Sequence, residues 1–258
     1  MLSTNHPSTL SNEELKLYSR HVLLDDWDID AQEKLKSSRV LIIGAGGIGC
    51  TCAELLARAG VGHISIVDFD HIETSNLQRQ IAFTLSNVGH SKVITLALHL
   101  KNINSNIDIH PLVLKLDQNT IKQLNTNYDL VLDGCDNFAT RYLVNSFCLE
   151  HQLPLLSAAA IGYEGQLLFV RYQPCYQCIF NDTDQDDERR CANSGVLTTT
   201  PVIMASLQAH HALLYLGLGQ APLLNKLLLW NGLNMTQRIL KIQADPNCYC
   251  ADVYKNTT

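Results

Sequence analysis

The sequence predicts an α/β fold: a doubly wound sheet, parallel in its first half and mixed or antiparallel in its second, with an N-terminal helical arm. Three observations carry this. The apolar run Arg39–Ile43 ends in a glycine cluster that opens a helix. Strand-like and helix-like segments then alternate to about residue 151, and after Pro154 strands follow one another with no crossover helix between them.

The elements follow in order. Ser11 with Glu13 and Glu14 is a capping signal for a charged helical stretch over residues 11–36. Residues 48–59 keep helical periodicity until Gly60 stops them. Residues 63–67, HISIV, form a second strand with Asp68 and Asp70 at its C-terminal end, so a parallel pair with a crossover helix is expected. Residues 91–104 read as a helix, 107–113 as a strand, 129–132 as a buried strand and 139–151 as a helix, giving a Rossmann-like alternation. Residues 155–159 and 166–171 are strands, and 226–230 and 235–242 flank the hairpin signal Asn231-Gly232. The greasy helix over 202–218 is interrupted by Gln208, His210 and His211, which makes it a core helix and not a membrane span. Residues 181–190, polar and acidic, read as an exposed loop.

Length and composition suit a single domain over residues 1–258, since 46% hydrophobic side chains suffice for one large core. A net charge of −6 argues against nucleic-acid or anionic-membrane partners, so any phosphate site must be local. The first residues carry neither a basic start nor an apolar run, and the expected location is the cytoplasm.

Gly44-Ala45-Gly46-Gly47-Ile48-Gly49 follows a strand and opens a helix, where backbone N–H groups favour a phosphate. Asp68 sits where a carboxylate accepts from ribose hydroxyls. These residues alone describe an NAD site. Asn76, Arg79 and Lys92 add polar and cationic groups that a buried pyrophosphate does not need but a triphosphate releasing pyrophosphate does. Asp133-Gly134-Cys135-Asp136-Asn137 puts two carboxylates at the mouth of the crevice, where magnesium would bridge phosphate oxygens. Asp133 or Asn137 could equally cap the following helix, and Arg79 and Lys92 could be surface cations.

The nine cysteines divide by position. Cys175, Cys178, Cys248 and Cys250 look like metal ligands, Cys50, Cys52, Cys135 and Cys148 like small core residues, and Cys191 fits neither group. Two paired thiols far apart in sequence point to tetrahedral zinc, although Cys248 and Cys250 are separated by one residue where two are usual. Arg189 and Arg190 would favour the Cys191 thiolate.

From Arg20 to about Cys250 the chain resembles the ThiF/MoeB/HesA adenylyltransferases, E1-like relatives of ubiquitin-activating enzymes. The markers are Tyr18-Ser19-Arg20, the glycine loop, Asp68-Phe69-Asp70, Ser75-Asn76-Leu77-Gln78-Arg79-Gln80, Lys92, the segment from Asp133 to Asn137, Cys175-Tyr176-Gln177-Cys178 and the segment from Cys191 to Val196. The resemblance implies ATP-dependent adenylation of the C-terminal glycine of a ubiquitin-like sulfur-carrier protein ending in Gly-Gly, for thiamine or molybdopterin biosynthesis. By it, Gly44, Gly46, Gly47, Gly49, Asp68, Asp70, Asn76 and Gln80 would join Arg79, Lys92 and Asp136 around the nucleotide. Arg79, Lys92 and Asp136 would act in catalysis, with Asp136 positioning magnesium. Arg20 would reach the partner's site across a homodimer, and Cys191 could bond the carrier or sulfur. The cysteine quartet would hold structural zinc. The divisions would be an arm over 1–37, a nucleotide-binding half over 38–160, and a carrier-binding half over 161–258 with the zinc site and crossover loop. A sulfurtransferase or cysteine desulfurase is a further possible partner, with no such domain expected within this chain. Leu23 to Asp26 and Glu188 to Cys191 lean toward the thiamine branch, while Leu17 and His21 depart from the family's arm. Two rivals stand beside this: an NAD-dependent oxidoreductase, which leaves Arg79, Lys92 and Asp136 without a task, and a non-catalytic scaffold that docks the carrier.

Overall fold

In the computed structural model, which describes residues 9–180 and 194–255, apolar alternation sets the sheet between two layers. In β1 (Arg39–Ile43), Val40 and Ile42 join one buried cluster while Leu41 and Ile43 join the other. Period-two side-chain geometry requires this when both faces are covered. The first cluster is closed by α4 (Gly47–Ala59) and α7 (Thr199–Leu218), and the second by α6 (Phe138–Glu150).

The remaining strands are β2 (His63–Asp68), β3 (Asp108–Val113), β4 (Leu130–Asp133), β5 (Leu155–Ile161), β6 (Glu164–Val170), β7 (Lys226–Asn231) and β8 (Thr236–Lys241); α5 is Lys92–Ile103. Among the described residues they form one sheet in the order β3-β2-β1-β4-β5-β6-β7-β8. Pairing is parallel from β3 across to β5 and antiparallel from β5 to β8. The predicted change of pattern after Pro154 is therefore real: β5 and β6 form a hairpin, and the sheet passes unbroken from one half of the chain to the other.

The chain winds outward from β1 through β2 to β3, then returns to place β4 on the other flank of β1. Such a reversal opens a crevice at the strand tips. The register puts Ile43 opposite both Val67 and Asp133, so the loops after β1, β2 and β4 emerge together.

The arm breaks into α1 (Asn12–Leu17), α2 (Ser19–Val22) and α3 (Ile29–Ser37) in place of one helical stretch. The capping box of Ser11 and Glu14 forms as expected. The break at Tyr18 has a packing cause: its ring fills the space beside Gly60, and its hydroxyl accepts from Asn104 Nδ2 at 2.8 Å. Trp27 lies against Gly217 of α7 and ties the arm to the core. No helix among the described residues is long and apolar enough to cross a membrane.

Two glycines decide the turn after β1. Gly44 adopts φ +91°, and a Cβ at Gly49 would stand 1.8 Å from the Gly44 carbonyl oxygen. Gly49→Ala is expected to destabilise the fold by about 3 kcal/mol, as a forced overlap within close-packed backbone does. Gly195→Ala, with nothing within 4 Å, should leave the denaturation midpoint unchanged. Equal midpoints for the two variants would contradict the close approach.

Candidate nucleotide and substrate site

The glycine loop is fastened before any ligand arrives. Gly44 N–H donates to the Val67 carbonyl at 2.8 Å, and Ala45 N–H donates to Asp68 Oδ2 at 2.7 Å. The other Asp68 oxygen accepts from the Asp70 N–H at 2.8 Å. Asp68 thus braces the loop while its carboxylate, half-buried, keeps lone pairs for a further donor.

Beyond β2, a 3-10 turn over Thr74–Asn76 brings the next group back across the loop. Asn76 is buried, and its Oδ1 accepts from the Glu73 N–H. A Cβ at Gly47 would lie 3.3 Å from the Arg79 carbonyl oxygen and 3.4 Å from Arg79 Cγ, so Arg79 runs directly over the start of α4. The Gln80 amide nitrogen lies 3.9 Å from the Cβ position of Gly46. Gln80 is 3% exposed, and its Oε1 has no hydrogen-bond partner. A buried acceptor left without a donor is costly unless a ligand completes it. Lys92, also buried, pairs with Asp70 at 2.9 Å.

On the other flank, Gly134 presses against Gly44, with a Gly44 Cβ lying 3.2 Å from the Gly134 carbonyl oxygen. The two carboxylates of this loop part company, which corrects the expectation that both face the mouth. Asp133 is 1% exposed and accepts from Ser157 Oγ at 2.5 Å and from the Cys135 N–H at 3.0 Å. Arg141 stands beside it, Nε to Oδ2 at 3.9 Å, and donates to the carbonyls of Cys135 at 2.5 Å and Ala158 at 3.1 Å. Burial works against the Arg141 charge, but Asp133 outweighs it and holds the guanidinium protonated. Asp133 is therefore a structural anchor. Asn137 is the cap of α6, accepting from the Thr140 N–H at 2.8 Å. Asp136 alone is exposed.

Asp136 and Arg141 also line a cleft of about 720 Å³. Phe138, Phe180, Trp230, Glu164 and Arg238 line it as well. One carboxylate thus belongs both to the loop against the glycine turn and to a mixed apolar and polar groove over β5, β6 and β7.

Arg20 lies elsewhere. It is exposed on α2, two residues from Tyr18, which packs against Gly60 at the C-terminal end of α4. Thirteen helical residues separate that end from the glycine loop, about 20 Å at 1.5 Å per residue. Cys191 lies outside the described residues.

The four predicted ligand cysteines come together: Sγ atoms of Cys175 and Cys178 are 4.0 Å apart, Cys175 and Cys248 3.5 Å, Cys178 and Cys250 3.5 Å, all four lying within 4.8 Å of one another. Thiolates each about 2.3 Å from a zinc ion stand about 3.8 Å apart in a tetrahedron, so the set fits zinc. The short Cys248-Tyr249-Cys250 spacing is absorbed because Cys250 lies on the first turn of α8 (Tyr249–Lys255). Burial, then the neighbouring thiols, push Cys175 and Cys250 upward. At Cys178 burial is outweighed by the Asp245 and Cys175 N–H groups, and its thiol is lowered. Cys50, Cys52 and Cys148 are buried, their thiols pushed up by burial, as inert core residues.

A family model described as the ThiF family matches residues 18–251. The chain belongs to the ThiF family. Over 242 residues this ThiF-family chain is 38% identical to the molybdopterin-synthase adenylyltransferase of Escherichia coli K12, covering 93% of the present chain and 97% of that protein. It is also 38% identical over 237 residues to the adenylyltransferase and sulfurtransferase MOCS3 of Aedes aegypti, covering 91% of this chain but 54% of that one, so it spans about half of that longer relative. Among solved structures, E. coli MccB with ATP superposes with a TM-score of 0.82 at 25% identity, over 95% of this chain and 75% of MccB. The ThiF-family relatives named here are adenylyltransferases, and this chain is an enzyme of that class.

Two positioning residues of the site carried no readable signal, and a third carried little. Arg141 and Ser157 are ordinary helix and strand residues in the sequence. Gln208, which donates to the Asp133 and Leu156 carbonyls at 2.9 and 2.8 Å, interrupts the greasy α7 pattern and was visible only as an interruption.

Purified protein is expected to carry about one zinc ion per chain, held more weakly as pH falls because protons compete for the thiolates. Metal analysis and a thiol count check this; four reactive thiols in this group and no zinc would contradict it.

Proposed function

We propose that this chain transfers AMP from ATP to the C-terminal glycine carboxylate of a ubiquitin-like sulfur-carrier protein ending in Gly-Gly, and that the carrier serves molybdopterin formation. The observation that supports it most is the double membership of Asp136. Its loop packs on the glycine turn, where a nucleotide's phosphates would belong, and the same residue lines the cleft of about 720 Å³ that would take the peptide tail.

In this reading the ribose hydroxyls donate to Asp68, and the orphaned Gln80 Oε1 takes a donor from the same ligand. The N–H groups at the start of α4 meet the phosphates. Asn76, Arg79 and Lys92 surround the leaving end, where negative charge grows as the bond to the α-phosphorus breaks. Arg20, too far from the loop of its own chain, completes the partner's site in a homodimer. A carboxylate oxygen of the tail attacks the α-phosphorus, the electron pair of the broken bond leaves with pyrophosphate, and an acyl-adenylate remains. The attacking group is already ionised at neutral pH, so no general base is needed. Asp136, exposed, with Asn137 Nδ2 3.4 Å from its Oδ1, would help to hold a magnesium ion, which would supply charge neutralisation. The four cysteines would hold zinc as a structural clamp on the second half.

The molybdopterin assignment rests on the name of the E. coli relative and replaces the lean toward thiamine drawn from short segments. Sulfur would come from a separate sulfurtransferase or cysteine desulfurase, with Cys191 as the thiol available to later sulfur chemistry and dispensable for adenylation. Neither an NAD-dependent oxidoreductase nor a silent scaffold gives a task to Arg79, Lys92 and Asp136 together.

ATP–pyrophosphate exchange measured with each carrier tests this. Exchange is expected with the molybdopterin-synthase carrier, reduced about a hundredfold or more by Asp136→Ala and unaffected by Cys191→Ala. Exchange with the thiazole-pathway carrier alone would move the enzyme to that branch, and exchange with neither would remove the sulfur carrier as substrate.

A further inference from the structure

Lys92 occupies an unfavourable place for a cation. It is the first residue of α5, where it faces the positive end of the helix dipole. The first turn of α5 holds no acidic residue, and Ser91 makes no side-chain capping bond. The Lys92 side chain is also only 8% exposed, so water does little to stabilise its charge.

The compensation comes from one residue. Lys92 Nζ donates to Asp70 Oδ2 at 2.9 Å, and the Lys92 backbone N–H donates to the Asp70 carbonyl at 3.0 Å. Side chain and main chain are therefore both tied to Asp70. The Asp70 N–H in turn donates to Asp68 Oδ1, whose other oxygen takes the Ala45 N–H. A continuous chain of hydrogen bonds thus runs from the glycine loop through Asp68 and Asp70 to Lys92. The Asp70 side chain, 47% exposed, is hydrated without its partner; the ion pair matters to Lys92.

We propose that Asp70 is a positioning residue that holds the Lys92 ammonium aimed at the strand tips, and that it acts on the nucleotide through Lys92 without touching it. This rests on the reading that Lys92 meets the phosphates of ATP, and it reassigns Asp70 from the direct nucleotide contact expected from the sequence. Asp68 and Asp70, two residues apart, then divide the work: one braces the loop and faces the ribose, the other holds the cation.

The test is a calorimetric titration of the full chain with magnesium-ATP in wild type, Asp70→Asn, Asp70→Glu, Lys92→Met and the double variant Asp70→Asn/Lys92→Met, with melting curves for each. Asp70→Asn is expected to weaken binding about tenfold, Asp70→Glu to restore most of that, and Asp70→Asn to add less than about twofold once Lys92 is methionine. In the exchange assay Asp70→Asn raises KM for ATP and Asp70→Glu brings it back, a pattern that general loosening of the fold would not follow. Asp70→Ser carries the same comparison if Asp70→Asn does not fold. The same loss in both Lys92 backgrounds would mean that Asp70 meets the ligand itself, and unchanged or tighter binding in Asp70→Asn would mean it positions nothing; either overturns the proposal while leaving the adenylation reading intact. A wild-type chain that does not bind magnesium-ATP would overturn both.

Discussion

At the tips of β1 and β4 two backbone segments approach so closely that a Cβ at Gly44 or Gly134 would lie 3.2 Å from the other segment, while one at Gly49 would stand 1.8 Å from the Gly44 carbonyl oxygen. The close packing brings the loop that opens α4 against the loop that carries Asp136. Asp68 secures the arrangement from the β2 side by taking the Ala45 N–H. The parallel register that places Ile43 between Val67 and Asp133 makes the three loops converge, and the cationic groups follow from that convergence.

Beneath this surface lies a buried polar network. Asp133, Ser157 and Arg141 are each nearly inaccessible, and their hydrogen bonds satisfy the carbonyls of Cys135 and Ala158. Removing one charge from such a pair strands the other. The next turn of α6 presents Asn145, which accepts from the Tyr176 N–H at 3.0 Å and donates to Cys175 Sγ at 3.6 Å. One helix therefore supports the loop of Asp136 at its start and the thiol cluster farther along, so the crevice at the strand tips and the four-cysteine cluster share a rigid element.

Much of this was legible in the sequence because local chemistry matched the global fold. The glycine turn, the carboxylate after β2, the hairpin at Asn231-Gly232 and the paired cysteines each combine a residue type with a spacing that few other structures use. What escaped depended on depth and distance. Asp133 and Asp136 are the same residue type three positions apart, and only the pleat of β4, which turns Asp133 inward to Ser157, separates an anchor from a site residue. Tyr18 breaks the arm because of Gly60 and Asn104, forty or more residues away. Arg141 and Gln208 act through contacts with backbone carbonyls that no sequence pattern encodes. Arg20 stands exposed near the C-terminal end of α4, a helix of thirteen residues away from the glycine loop, a separation that spacing along the chain could not supply.

The most direct test is a crystal structure of the protein with magnesium and a non-hydrolysable ATP analogue. The ribose is expected against Asp68, with the triphosphate between Arg79, Lys92 and Asp136 and its α-phosphate open to the groove lined by Phe138 and Trp230. A nucleotide bound with its phosphates away from these three side chains would contradict the adenylation site.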